Sequence, residues 1–288
     1  MSETVRDRVS DLPDVLQLTP LGDGRFTAFQ PESSAEGRDV VFSGQYIAQM
    51  LMAAEAMETG NKSPRSIHAL FARASSYTLP LELHADVMQS GRTWGSDTIT
   101  AYQDGKLRAR ALVLMTSQDP DLFRHEPGMP AQVPPPDELP SKPSGLLFPG
   151  SDWRPVSGTV VKDGVPVWCA WHRYERRLAS QAANQAVVSW STCGHIIGLA
   201  FDAHPGEVLI GQAHRTLSTG VIGQSLHFLD PVDVSEWLLF VHAATKAANG
   251  RVYGGGQVFT QSGRLVAEFS QDAMAKRSEA ELDFRNAM

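Results

Sequence analysis

The sequence has only two cysteines, Cys169 and Cys193, in 288 residues. With no CxxC spacing they build neither a disulfide framework nor a cysteine-rich metal site, and they suit a reducing compartment, so a cytoplasmic location is expected. No apolar run approaches the ~18 residues of a membrane-spanning helix. Excess positive charge is also lacking. The formal net charge is -7, which gives no general attraction to nucleic acid or to an anionic membrane, and neither is expected as a partner. There is no GxSxG nucleophile elbow, no P-loop and no GxGxxG, which removes the motifs of α/β-hydrolases and of common nucleotide binders. The nine histidines form no HExxH or Cys/His ligand spacing, and no bound metal or cofactor is expected. The opening MSETVRDRVSD is polar and charged and does not read as a secretory signal.

What the sequence does contain is an internal repeat. Ser66-Ile67-His68 returns 159 residues later as Ser225-Leu226-His227, and His84-Ala85 returns as His242-Ala243. Ser90-Gly91-Arg92-Thr93-Trp94 returns as Asn249-Gly250-Arg251-Val252-Tyr253, and Gln103 to Ala109 returns as Gln261 to Ala267. Four matches in one order, at an offset stable to a residue, point to a duplicated unit of about 130 residues. Half of the 18 prolines lie between Pro127 and Pro155, and proline is excluded from helix interiors and central strands. The organisation read from this is an N-terminal unit at 1–130, an extended linker at 131–157 and a C-terminal unit at 158–288.

Each unit reads as a helix followed by an antiparallel meander. Ser43 is placed to cap a helix from Gly44 to about Thr59, with Ile47, Met50, Leu51 and Ala54 on one face. Strands are expected at Ile67–Ala74, Leu81–Gln89, Trp94–Tyr102 and Leu107–Thr116, with hairpin turns at Gly91-Arg92 and Gln103 to Lys106. In the second unit a strand region at Val160–Trp171 precedes a helix starting near Thr192 or Cys193 and running through Ile196, Ile197, Leu199 and Ala200. Strands follow at Gln224–Leu229, Trp237–Lys246, Val252–Thr260 and Leu265–Gln271. The triplet Gly254-Gly255-Gly256 inside a strand pattern predicts close backbone approach or a bulge, not a phosphate cradle. The repeat-related His68 and His227 are expected to be structural. The tail after Lys276 is charged and expected to fray.

Phe42-Ser43-Gly44-Gln45, a helix ending in Ala53-Ala54, and Ile67-His68 resemble the opening of the type II acyl-CoA thioesterases, the TesB family. Leu122 to Pro130, running into Pro136 to Ser141, resembles that family's inter-domain junction. Phe228-Leu229-Asp230-Pro231, Glu236-Trp237-Leu238-Leu239, Val266-Ala267 and Gln271-Asp272 resemble its C-terminal half. The resemblance spans nearly the whole chain. It implies an α+β double hotdog, two helices each wrapped by antiparallel strands, that acts on acyl-CoA in fatty acid metabolism and forms a homo-oligomer. It also implies hydrolysis to free acid and CoA by water attack, assisted by an Asp, a Thr and a Gln.

Carried over residue by residue, the Gln falls on Gln271. The Asp falls on Thr192 or Cys193, expected at a helix N-terminus beside the oxyanion. The Thr falls on Val221, with Thr219 two residues earlier on the same strand face. The family's Arg-Pro-Gly-Asp reads Arg73-Ala74-Ser75-Ser76 here. The candidate catalytic residues are therefore Gln271, Thr192, Cys193 and Thr219. Asp202 and Glu55 are possible replacement bases, and Cys193 is a possible nucleophile. Two alternatives stay open: an acyl-CoA-binding protein without catalysis, and a hydratase, which would need an Asp paired with a helix histidine such as His195.

Overall fold

The computed structural model describes residues 12–31, 39–142, 148–156, 158–214 and 216–278. The opening segment before Leu12 and the tail beyond Ser278 lie outside the described residues.

A short helix, α1 (Leu12–Val15), precedes a hairpin, β1 (Leu18–Gly22) and β2 (Arg25–Ala28). The first-half helix, α2 (Ser43–Met57), is followed by β3 (Ser63–Phe71), β4 (Leu81–Ser90), β5 (Trp94–Gln103) and β6 (Lys106–Thr116). The second half brings β7 (Ser151–Pro155), β8 (Val160–Lys162) and β9 (Val165–Tyr174), then α3 (Gln181–Ser191) and α4 (His195–Asp202). It ends with β10 (Leu217–Phe228), β11 (Leu238–Ala248), β12 (Arg251–Thr260) and β13 (Leu265–Arg277).

All strands form one sheet, in the order β1-β2-β4-β5-β6-β3-β10-β13-β12-β11-β9-β7, with β8 paired to β9. Read outward from the β3–β10 seam, each side runs central strand, last strand, middle strand, earlier strand. At the seam Ser66 faces His227, Ile67 faces Leu226 and His68 faces Ser225. Repeat-related residues exchange places there, so an approximate two-fold axis passes through the Ile67–Leu226 pair. His68 and His227 lie edge to face across it, 5.2 Å apart, and His68 Nδ1 is 3.0 Å from Ser225 Oγ. The two helix systems are wrapped by this sheet, which is the double hotdog.

The α2 sequence is rich in Ala, Met, Leu and Gln, strong helix formers without a β-branched run. It is buried from Gly44 through Leu51 and again at Ala53 and Ala54, as a helix enclosed on all sides must be. Gly44 is required, because a Cβ there would meet the Phe42 ring at 2.6 Å and the Trp190 backbone at 3.1 Å. Ser43 does not cap this helix. The N-cap is Phe42 and no side chain bonds the first turn.

The second-half helix starts eleven residues earlier than expected. Ser180 caps α3 by accepting from the Ala183 amide at 3.1 Å. The chain turns through Gly194 at φ +88, a left-handed position suited to glycine, and restarts as α4. The polar face of α3 hides its burial from the sequence. Asn184 Oδ1 accepts from the Val234 amide, Gln185 Nε2 donates to the Pro64 carbonyl, Ser189 Oγ donates to the Gln185 carbonyl, and Ser191 Oγ meets His172 Nδ1. Each of these side chains makes at least one buried hydrogen bond, so the helix tolerates them inside, although Gln185 Oε1 has no partner among the described residues.

Part of the expected linker is also a strand: β7 pairs with β9, with Pro155 at the end of this outer strand, where proline's missing donor does no harm. The glycine triplet does mark close approach. A Cβ on Gly254 would lie 2.3 Å from the Ala243 carbonyl and 2.8 Å from Ile196, and one on Gly256 would lie 1.8 Å from the Val241 carbonyl.

Candidate active site

A cleft of about 470 Å³ opens where the two halves meet. The start of α2 (Phe42, Ser43) forms one wall and the end of β3 with Arg73 another. The start of α4 (Gly194, Ile197) and residues 219–221 of β10 complete it. Its walls are mainly apolar, and among the described residues Tyr46, Arg73 and His214 are the ionisable side chains lining it.

Beneath the cleft runs a buried polar chain. Gln224 and Gln271 face each other directly across β10 and β13. Gln271 Nε2 donates to Gln224 Oε1 at 3.0 Å, and Gln224 Nε2 donates to Thr192 Oγ1 at 2.9 Å. Thr192 Oγ1 in turn donates to the Ser189 carbonyl at 2.9 Å. A branch reaches the cleft: Gln271 Nε2 lies 3.6 Å from Cys193 Sγ, which lies 2.9 Å from Ser43 Oγ. All of Thr192, Cys193, Gln224 and Gln271 are buried, yet Gln271 Oε1 has no partner among the described residues. A buried acceptor left unmatched costs about 1–3 kcal/mol.

The structure brings three of the four candidates close to this cleft, in unequal roles. Gln271 and Cys193 belong to the buried chain, and Thr219 lines the cleft wall two residues from Val221. Thr192 differs from expectation. It is the C-cap of α3, not the start of a helix, and its hydroxyl is committed to Gln224 and Ser189. The helix starts that line the cleft are those of α2, at Phe42 and Ser43, and of α4, at its N-cap Gly194. Glu55 lies 12 residues along α2 from Ser43, about 18 Å away at 1.5 Å per residue, and Asp202 is exposed at the far end of α4. Neither reaches the cleft. In the Arg73-Ala74-Ser75-Ser76 segment, Ser75 is buried and accepts from the Tyr46 hydroxyl. Burial, opposed by this bond and by Arg108, pushes the Tyr46 phenol up to about 12.

Gln224 and His214 are the residues that sequence reasoning missed. On a regular strand Gln224 would point away from Val221's face. A bulge between Val221 and Gly223 restores it to the inner face, and nothing in the local sequence announces that bulge. His214 sits in the turn before β10, where its ring meets Thr219.

Behind Cys193 and Gly194 three histidines pack among aromatic rings. His195 stacks on Trp153 at 5.4 Å and meets His242 edge to face at 5.0 Å, while His172 lies 5.7 Å from Trp153. Burial lowers His195 to about 4. Burial, with His195 nearby, lowers His172 to about 3 and His242 well below its ordinary value. The trio is neutral packing, so His195 is not poised as a hydratase acid. Among the described residues no cluster of His, Cys, Asp or Glu is arranged to hold a metal. Burial raises the Cys169 thiol to about 11, which makes it a poor nucleophile.

Two family models match this chain: the acyl-CoA thioesterase N-terminal domain over residues 30–116, and acyl-CoA thioesterase over residues 155–274. The chain is 24% identical over 295 residues to acyl-CoA thioesterase 2 of Haemophilus influenzae, covering 95% of this chain and 99% of that protein. Among solved structures it resembles a tesB protein of Mycobacterium avium subs paratuberculosis, with a TM-score of 0.77 and 22% identity over 92% of this chain and 98% of that one. It also resembles an acyl-CoA thioesterase II of Mycobacterium marinum, with a TM-score of 0.74 and 20% identity over 93% and 99% of the two chains. The structural likenesses establish the fold, and the two family models together take in both halves with their helices, seam strands and Gln271: the chain belongs to the type II, TesB-like acyl-CoA thioesterases.

Proposed function

We propose that the cleft binds an acyl-CoA thioester and that water attacks its carbonyl there, releasing free acid and CoA. The observation that carries this reading is Gln271, a buried amide beside an apolar cleft, whose Oε1 has no partner among the described residues. That oxygen is suited to accept a hydrogen bond from the attacking water, while Nε2 stays fixed by Gln224 and Cys193. The first amides of a helix have no intrahelical partner, and α2 has no side-chain cap. Its N-terminus therefore offers N–H groups and a positive dipole end to the developing oxyanion. In this reading Cys193 couples Ser43 to Gln271, and Thr192 holds Gln224 in place. Thr219 supplies a hydroxyl on the cleft wall, and the acyl chain lies against Phe42, Phe71 and Ile197.

The test is thiol release from a series of acyl-CoAs of increasing chain length, followed with a thiol-reactive dye. Release by the wild-type protein is the expected result. Binding of acyl-CoA without release would favour the non-catalytic alternative instead.

The chain is further proposed to act in the cytoplasm as a homo-oligomer. In support, the two cysteines form no disulfide, no helix among the described residues is long and apolar enough to cross a membrane, and Leu70 and Leu112 stand exposed on the outer sheet face. Light scattering would give the subunit number, and a tagged chain would give the location.

A further inference from the structure

The cleft has no carboxylate in its lining among the described residues, and water attack on a thioester at neutral pH needs a proton acceptor. We propose that His214 is that general base and that Thr219 is its positioning residue; the proposal rests on the thioesterase reading given above.

Three observations carry it. His214 and Thr219 both line the cleft, on the same wall as Val221. The Thr219 hydroxyl lies 3.1 Å from His214 Nδ1 and 3.3 Å from Nε2, so it holds the ring by one edge. The backbone at His214 is left-handed, with φ +60, and is fixed there by its amide donating to the Leu217 carbonyl at 2.8 Å. A non-glycine residue kept in that region costs on the order of 1 kcal/mol, and such positions concentrate at functional sites. The turn is thus built to set this side chain over Thr219, five residues further on. Val221 and Gly194 line the same cleft, so a thioester carbonyl bound there would share the space with the ring and the attacking water.

In the step, the imidazole nitrogen takes a proton from water as the water oxygen bonds to the thioester carbon. The carbon–sulfur bond then breaks, and the departing CoA sulfur takes the proton from the imidazolium. Acid and thiol leave, and the ring is neutral again. Among the described residues, the other ionisable groups lining the cleft are Tyr46 on α2 and Arg73 after β3. Burial keeps Tyr46 near 12 and a guanidinium stays charged, so of these groups the imidazole is the one with the chemistry of a base.

The experiment compares wild type, His214→Ala, His214→Gln and Thr219→Val on an acyl-CoA that the wild type hydrolyses. Both His214 variants should lose about a hundredfold or more in kcat with little change in KM or melting temperature. The rising limb of the wild-type pH profile should vanish in them, and added imidazole should restore part of the His214→Ala rate. Thr219→Val should lose less, about tenfold, and keep the limb. Retention of rate and pH limb in His214→Gln would overturn the assignment while leaving the thioesterase reading intact. So would a slow His214→Ala enzyme that keeps the limb and ignores imidazole, since that pattern belongs to a structural role. No thiol release by the wild type from any acyl-CoA would overturn both.

Discussion

The duplicated halves create two equivalent clefts, and they have become unlike. Each lies at the start of one helix, the end of the same half's central strand and the start of the other half's central strand. The first combines α2, β3 and β10 and is the apolar candidate site. The second, about 690 Å³, combines the start of α3 (Gln181, Gln185), the end of β10 and the start of β3. There the polar groups bond one another. Arg124 pairs with Asp121, Glu126 and Asp230, Arg264 also reaches Asp230, and Arg65 donates to the Phe228 and Leu229 carbonyls. The helices differ in the same sense. First-half α2 is one unbroken rod, whereas its counterpart breaks at Gly194, and the break places Cys193 against Ser43. A matched fold with unmatched chemistry localises the proposed function to one cleft.

The sharpest way to test the asymmetry is acid. His172, His195 and His242 all belong to the second half, whereas the first-half sheet carries exposed His68 and half-buried His84. Because the folded pKa values of the trio lie below the unfolded value of about 6.5, the unfolded chain binds more protons below that pH. Stability from this source is therefore complete above about pH 6.5. It falls as pH drops toward the folded values, about 4 for His195 and about 3 for His172, by about 1.4 kcal/mol per pH unit for each histidine. Hydrogen exchange at pH 5 should show β9, β11 and α4 losing protection before β5 and β6. Equal loss in both halves would break the comparison.

Next in size is Gly256→Ala. Its methyl would press on the Val241 carbonyl and the Phe269 ring, at a cost of about 3 kcal/mol or more, read as a fall in denaturation midpoint. In the first half the strand tolerates side chains, with Thr98 158 residues earlier. The smallest predicted effects separate the clefts directly. Gln271→Ala should lower kcat about a hundredfold, ~2.7 kcal/mol of barrier, with a much smaller effect on melting. Arg124→Ala, in the other cleft, should leave kcat unchanged, because its exposed ion pairs face no reacting atom. A rate loss in Arg124→Ala would mean that the second cleft takes part.

The meander strands were legible because they alternate cleanly and their turns carry local chemistry. Leu81–Ser90, Trp94–Gln103 and Lys106–Thr116 appear almost where the pattern puts them, and Asp104-Gly105 closes a hairpin with both residues at positive φ. The duplication could be read from four short matches, and the seam registers bear it out. Helix α3 was not legible, since Gln181, Asn184, Gln185, Ser189 and Ser191 look solvent-facing until their buried partners are seen. The site was half legible. Gln271 could be placed from the family motif, but the role of Thr192 depended on which helix end it occupied. Gln224 depended on a bulge and His214 on a turn, and long-range contacts decide both.

The β3–β10 seam makes the protein, in effect, a dimer whose two subunits share one gene copy in tandem. In a homodimer every substitution is written twice, so an acquired ion pair fills both clefts and a lost side chain empties both. Here Asp230 can settle into one cleft while Val221 and Thr219 stay in the other. Each strand edge at the Ile67–Leu226 crossing remains covered throughout. Covalent linkage thus frees each half to change alone while the shared sheet keeps them together, and a specialised site can arise without a second, identical site changing with it.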